Sequence, residues 1–337
     1  MLENLKDLCL LNGISGDEKS VREYIINKIK NFVTSYKIDN LGNLICFKKG
    51  KKTGKKLLIS AHMDEVGFIA TYINSDGTIK LNTVGGINTD VIIGRQVTIN
   101  GLFGVVGSQA IHNIPSSHRG DAPNIDNLYV DIGTTSKEDT EKYVSLGDSI
   151  NFYSEYEQFG NDCIKSKALD DRVGCSIMID LIKSELEYDT YFSFVVQEEV
   201  GLRGSKVASY DINPDYAIVL EGTTAGDIHG AENEKKVCIL GNGAVISYMD
   251  RRTIYDRELY KLSSNICEEN KIPYQTKTMV AGGNDGGSIH LSRGGVKTIA
   301  ISVPCRYIHS GASVMKISDA IACEDLTKIL ISRINVI

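Results

Sequence analysis

YFSFVVQEEVGLRG, residues 191–204, joins a short apolar run rich in aromatic and β-branched side chains to a polar turn punctuated by glycine. The run has the composition of a buried strand. Glu198 and Glu199 therefore stand where a core strand gives out, the usual place for a site in an open α/β sheet. Two adjacent acids cannot both be buried and ionised without a cation or a proton to compensate them. A metal on one carboxylate, with the other free to move a proton, meets that requirement. So does a turn left in solvent, the commoner fate of an isolated glutamate pair. The rest of the chain decides between the two.

Other apolar runs end in the same way. LLISA (57–61) delivers AHMDEVG, where His62 and Asp64 are two apart on a strand and so face one way. Asp64 is placed to accept the ring N–H that His62 does not use, fixing the tautomer. KALDDRVG (167–174) sets Asp170 and Asp171 before a helix expected over 172–184, where the helix dipole favours acids. One acid suffices as a cap; a second in an apolar setting needs another partner, and Asp170 bridging two metals supplies one. Glu221 closes YAIVLEG (216–222), and His309 follows KTIAISVP (297–304) within CRYIHSG. Singly, each of these residues reads as an ordinary strand-end or capping group. Together, His62, Asp170, Glu199, Glu221 and His309 form a set of two imidazoles and three carboxylates, which suits two borderline divalent ions. An all-oxygen set would have suggested magnesium or calcium.

The surrounding pattern is α/β. Helices are expected over 2–12, 21–33, 256–270 and 317–337, and Ser15-Gly16-Asp17-Glu18 reads as a capping box ahead of the second. A hairpin is expected around 41–43, and the lysine-rich stretch 49–56 reads as a solvated loop. From 68 to about 161 the rhythm changes to short alternating runs broken by Asn, Asp, Ser and Gly, with one helical stretch over 136–147. That pattern predicts a small β-barrel or sandwich inserted into the α/β domain. At 337 residues with a net charge of -6, the chain has room for two domains and no broad cationic surface for nucleic acid or an acidic membrane. No apolar stretch approaches a membrane span, and the first residues are too polar for a signal peptide, so a cytoplasmic location is expected. Eight scattered cysteines without a CxxC pair read as buried free thiols.

AHMDEVG, KALDDRVG, QEEVGLRG and RYIHS, in this order, resemble the tetrahedral aminopeptidases, dinuclear metallopeptidases that include glutamyl, leucyl and lysyl aminopeptidases. The likeness extends to NGISGDEKSVREYI (12–25), to DIGTTSKED and LGDSINF, and to GGNDGGSIHLSRGGVKTIAISVP (282–304). It implies a three-layer catalytic domain with a mostly parallel central sheet, made of 1–67 and 162–337, and a β-barrel dimerisation domain at 68–161. It also implies one metal on His62, Asp170 and Glu221 and a second on Asp170, Glu199 and His309. Glu198 becomes general base and acid, Asp64 the orienting group, and the Asp170–Asp171 peptide is cis. Zinc is the first expectation for the ions, with cobalt or manganese as alternatives. Peptides are the implied substrates, and dimers built into a tetrahedral dodecamer the implied assembly. The position of Glu221 more often carries aspartate in the family, and Gly311, Ala312 and Ser313 replace its usual Pro and Glu.

Near the substrate, the resemblance places Asn284 and Asp285 in a glycine-rich loop that lacks the GKS/T of a phosphate cradle. His112 lies close to a family histidine in the inserted domain and is read as structural or interfacial. His118, His229 and His290 have no ligand company, and 249–258 reads as a solvated loop. Some family members carry the label endoglucanase, but a glycosidase needs only two carboxylates and has no use for His62 and His309. The competing hydrolase is a dinuclear deacylase or amidase acting on N-acylated amino acids or peptides. The competing non-enzyme is a metal-free scaffold.

Overall fold

Four parallel strands form the centre of the molecule, and they run so that their C-terminal ends share one edge. The structure, a computed structural model, describes residues 1–113, 117 and 120–336. Across the sheet the strands follow the order Ser35–Ile38, Leu44–Lys48, Tyr188–Val195, Lys52–His62, Tyr216–Thr224 and Lys297–Arg306. Ser313–Lys316, Cys163–Ser166 and Glu157–Phe159 extend it to the far edge. Tyr188–Val195, Lys52–His62, Tyr216–Thr224 and Lys297–Arg306 pair in parallel. The flanking strands at both edges are antiparallel.

The apolar runs read from the sequence form these central strands because both sheet faces are covered. Helices Leu2–Leu10, Leu169–Lys183, Arg203–Ile212, Arg257–Asn270 and Ile317–Arg333 supply the outer layers of a three-layer domain. Leu57, Leu58, Ile59, Phe192, Phe194, Ile218, Ile299 and Ile301 are all buried between them. The register sets His62 beside Val195 and Glu221 beside Ser302, so the ends of neighbouring strands lie level.

The second unit is a closed antiparallel barrel of Gly67–Ile73, Ile79–Val84, Tyr129–Asp131, Leu102–Gly107, Gln96–Ile99 and Ser149–Phe152. Phe68 and Phe152 meet edge-to-face in its core, with ring centroids 5.1 Å apart. The alternating runs from 68 onward are therefore barrel strands, one face inward.

Several local expectations change. The lysine-rich stretch is exposed, but its second half is already strand, because Lys52 and the residues after it open Lys52–His62. The helix expected over 136–147 is one short turn, Lys137–Thr140, capped by Ser136. Helix Arg203–Ile212 escapes a reading from apolar spacing because its buried face is made of Gly204, Ser205, Ala208 and Ser209, with only Ile212 large and apolar. The strands Ala244–Ile246 and Tyr274–Thr276 are three residues each, too short to show a period. All eight cysteines are free thiols, and all but Cys163 are buried. No helix among the described residues is long and apolar enough to cross a membrane.

Candidate active site

The common edge of the four parallel strands gathers side chains that are far apart in the chain. His62 ends Lys52–His62, Glu198 and Glu199 follow Tyr188–Val195, Glu221 lies in Tyr216–Thr224, and His309 follows Lys297–Arg306. Asp170 arrives from another direction, at the start of helix Leu169–Lys183. There the backbone is non-helical at Asp170 and Asp171, and the peptide between them is cis. All six side chains line one cavity of about 400 Å³.

Asp170 sits between the two imidazoles. Its Oδ1 lies 3.4 Å from His62 Nε2 and its Oδ2 3.8 Å from His309 Nε2. Glu221 Oε2 is 3.6 Å from the same nitrogen of His62. Glu199 Oε2 is 3.2 Å from that of His309. Asp170 thus joins the contacts around His62 to those around His309, and Glu199 also comes within reach of His62 and Asp170, the three ligand atoms lying within 4.8 Å of one another.

The supporting contacts explain why the chain holds this shape. His62 Nδ1 faces two acceptors of Asp64, the carbonyl at 3.0 Å and the carboxylate at 3.5 Å. The Asp64 carboxylate is mainly used elsewhere: it accepts the N–H groups of Glu198 and Glu199 at 3.0 and 3.1 Å and the Ser15 hydroxyl at 2.6 Å. It therefore anchors the diacid turn as well as facing the histidine. Asp171 accepts the backbone N–H of His62 at 3.2 Å and that of Gly174 at 3.0 Å. Asn43, fully buried in the hairpin turn, accepts from Val196 N–H and donates to Gly204 O, bracketing the same turn. A Cβ at Gly204 would lie 2.3 Å from Val196 O, so the turn closes only on glycine.

Ser15 and Glu18 do not form the expected capping box. Ser15 is spent on Asp64, and Glu18 accepts from Gly16 and Gln197 N–H. Apart from the Gly16 N–H, the partners of both side chains lie across the fold. Two further buried cations lie on the same segments. Lys167 Nζ donates to Glu65 Oε1 at 2.6 Å and to Leu11 O at 2.7 Å. Arg172 reaches the same oxygen at 3.3 Å, together with Leu8 O and Gly13 O.

Electrostatically, the cavity side of the site is an acid cluster short of positive charge. Burial pushes Glu198 and Glu199 well above the ordinary carboxylate range, and neighbouring carboxylates add to the shift. Glu221 is raised to about 7, by burial first and then by Asp170 and Asp285. Burial alone would lower His62, but Asp170, Asp64 and Glu221 outweigh it and hold the imidazole well above its usual value. Asp170 Oδ1 is buried without any hydrogen-bond partner. Clustered buried acids and an orphan acceptor between two imidazoles are the chemistry a cation completes. The donor set of nitrogen and oxygen atoms fits borderline divalent ions.

Of the two loop residues expected near substrate, Asn284 lines the cavity, its Oδ1 accepting from Tyr255 and Gly286 N–H. Asp285 is fully buried, with its N–H 3.5 Å from Glu221 Oε1. The stretch 249–258 is more than a solvated loop, because Arg252 lines the cavity and Asp250 is buried beneath it. Lys277 lines it too and is only 9 % exposed. No pattern in the sequence marked either cation. His112 and His229 are exposed and His290 bonds to Gly286 O, all away from the cavity. His118 lies outside the described residues.

Residues 42–326 match the M42 glutamyl aminopeptidase family. A relative from Acetivibrio thermocellus is 40% identical over 323 residues, covering 95% of this chain and 94% of its own. A TET aminopeptidase from Thaumarchaeota archaeon SCGC AB-539-E09 superposes with a TM-score of 0.95 at 31% identity, over 99% and 96% of the two chains. The Pyrococcus horikoshii TET1 peptidase, described as assembling into a tetrahedron or a large octahedral shell, gives 0.85 at 33% identity, over 98% of each. The architecture is that of a metallo-aminopeptidase. The chain belongs to the M42 glutamyl aminopeptidase family.

Proposed function

We propose that this chain removes N-terminal residues from peptides, using two divalent metal ions and Glu198. The observation that carries the reading is Asp170, whose two oxygens face His62 and His309 separately. One ion would be held by His62, Asp170 and Glu221, the other by Asp170, Glu199 and His309, with zinc the first expectation and cobalt or manganese the alternatives. When bound, such a pair acts as a Lewis acid and brings the pKa of a water toward neutrality. Glu198 belongs to neither triad, lines the cavity and is tied through its N–H to Asp64. It is the group free to take a proton from the attacking water and hand it to the departing amine. Asp64 and Asp171 keep His62 and the diacid turn in register for that step.

Substrate selection falls to the other cavity residues. Arg252 and Lys277 line the cavity, and neither forms an ion pair among the described residues. Two cations of this kind favour a carboxylate, so peptides with an acidic N-terminal residue are the expected substrates. The barrel segment, taken as 68–161, has no comparable cluster among its described residues and is assigned to assembly into a homo-oligomer, with the tetrahedral dodecamer as the expected form. A cytoplasmic location goes with this reading.

The test is a panel of Glu-, Leu- and Lys-p-nitroanilides and N-acyl amino acids, offered to chelator-stripped protein reloaded with each ion. The expected result is metal-restored release from free α-amines, fastest with Glu. Turnover of the N-acyl compounds alone would make the chain a deacylase, and no restoration by any ion would end the metallo-hydrolase reading.

A further inference from the structure

We propose that the inserted barrel completes one half of the metal centre: the turn Gly85-Gly86, directly after barrel strand Ile79–Val84, positions His309 and Glu199. The inference rests on the assignment of these two residues as ligands. His309 Nδ1 lies 2.7 Å from Gly86 O, across 223 residues of chain. A carbonyl oxygen only accepts, so the neutral ring carries its proton on Nδ1 and its lone pair on Nε2. That lone pair is on the nitrogen facing Asp170 and Glu199. Fixing the tautomer through the far ring nitrogen is how a histidine ligand is oriented and made more basic.

Gly85 acts through space rather than through a hydrogen bond. Its φ is +86°, which side chains rarely adopt, and a Cβ there would meet Val66 Cγ1 at 2.8 Å and Glu199 Cβ at 3.3 Å. Gly86 is different: a Cβ on it would meet only His309 Nδ1, at an ordinary 3.7 Å. The turn thus touches both residues that belong to the second triad alone. The first triad is oriented from within the α/β domain, where His62 is held by the Asp64 carbonyl and by Asp171. The two ions would then answer to different regions of the chain, and a displacement of the barrel would loosen one and spare the other.

Gly85→Ala tests this, with Gly101→Ala as its control, at a barrel turn of similar φ (+81°) where an added Cβ meets nothing within 4 Å. Zinc is titrated calorimetrically into chelator-stripped, full-length protein, and the absorption spectrum of the cobalt-loaded form is recorded. The wild type is expected to take two ions. Gly85→Ala should bind one with unchanged affinity and the other at least about tenfold more weakly, with an altered cobalt spectrum. Gly101→Ala should match the wild type. If Gly85→Ala fails to fold, Val66→Ala is added to it, removing the 2.8 Å contact while leaving the one to Glu199. Two ions bound with wild-type affinity, or a loss shared equally by both, overturns the inference while leaving the ligand assignment standing. Fewer than two ions on the wild type overturns the assignment and this inference together.

Discussion

Two clusters of buried charge lie on the same two segments, 62–67 and 167–172, and they have opposite characters. In the first, Glu65 is met by Lys167 and Arg172, whose remaining donors reach main-chain carbonyls of the N-terminal helix and the turn after it. Among the described residues, Arg172 Nε is the one buried donor of this cluster left without a partner. This cluster is nearly complete within the chain, although Lys167 borders a separate cleft of about 350 Å³. In the second, two imidazoles meet a crowd of carboxylates that burial and mutual repulsion push toward the protonated form. That cluster opens onto the cavity. Adjacent residues thus divide into a part that fastens the fold and a part left short of positive charge. Burial does not separate the two, since Glu65 and Glu221 are both buried. What separates them is whether the chain supplies the compensating charge.

That contrast can be broken at its strongest point first. Glu198→Gln should lower turnover by about 10²–10⁴-fold, the usual share of a general base, while both ions remain bound. Metal analysis beside initial rates checks it, and normal rates would remove Glu198 from the chemistry. In the closed cluster, Glu65→Ala leaves two cations buried without a counter-charge. A loss of about 3–5 kcal/mol in urea unfolding of the metal-free chain is expected. The open cluster should respond with the opposite sign. Glu199→Gln removes one of several mutually repelling acids, so the metal-free chain should gain about 1 kcal/mol. The same variant should lose most of the stabilisation that added ions give the wild type. A metal-free Glu199→Gln chain as damaged as Glu65→Ala would erase the distinction.

The smallest effect concerns a closed pair nearer the surface. Arg306 grips Asp227 through two bonds of 2.8 and 2.7 Å, and it holds the carboxyl below the ordinary aspartate value. A depressed acid stabilises the fold above its unfolded pKa and loses that contribution as pH falls through the lower folded one. Asp227→Asn should therefore cost about 1 kcal/mol at pH 7, with the gap to wild type closing below about pH 4. Unfolding midpoints of both proteins across that range measure it.

How much could be read beforehand follows from what kind of pattern each part leaves. Apolar runs such as YFSFVV and KTIAISVP are continuous because both sheet faces are covered, so the central strands and the residues at their ends were legible. The barrel was legible because its strands expose one face and alternate. Partnerships across the fold were not. Ser15 and Glu18 are spaced as a capping box, and nothing local says that their bonds go to Asp64 and Gln197. Arg252 sits in a run of charges that looks solvated, and only the folding of the 249–258 stretch turns it to the cavity. Gly85 and Gly86 read as an ordinary turn until the His309 ring is seen against them.

The ligand candidates run from residue 62 to residue 309 of 337, one from nearly every central strand. A chain emerging from the ribosome has no complete pocket until Lys297–Arg306 has docked and the loop beyond it has been threaded past Gly86. Peptide-cutting ability, on this layout, is among the last properties the nascent molecule acquires.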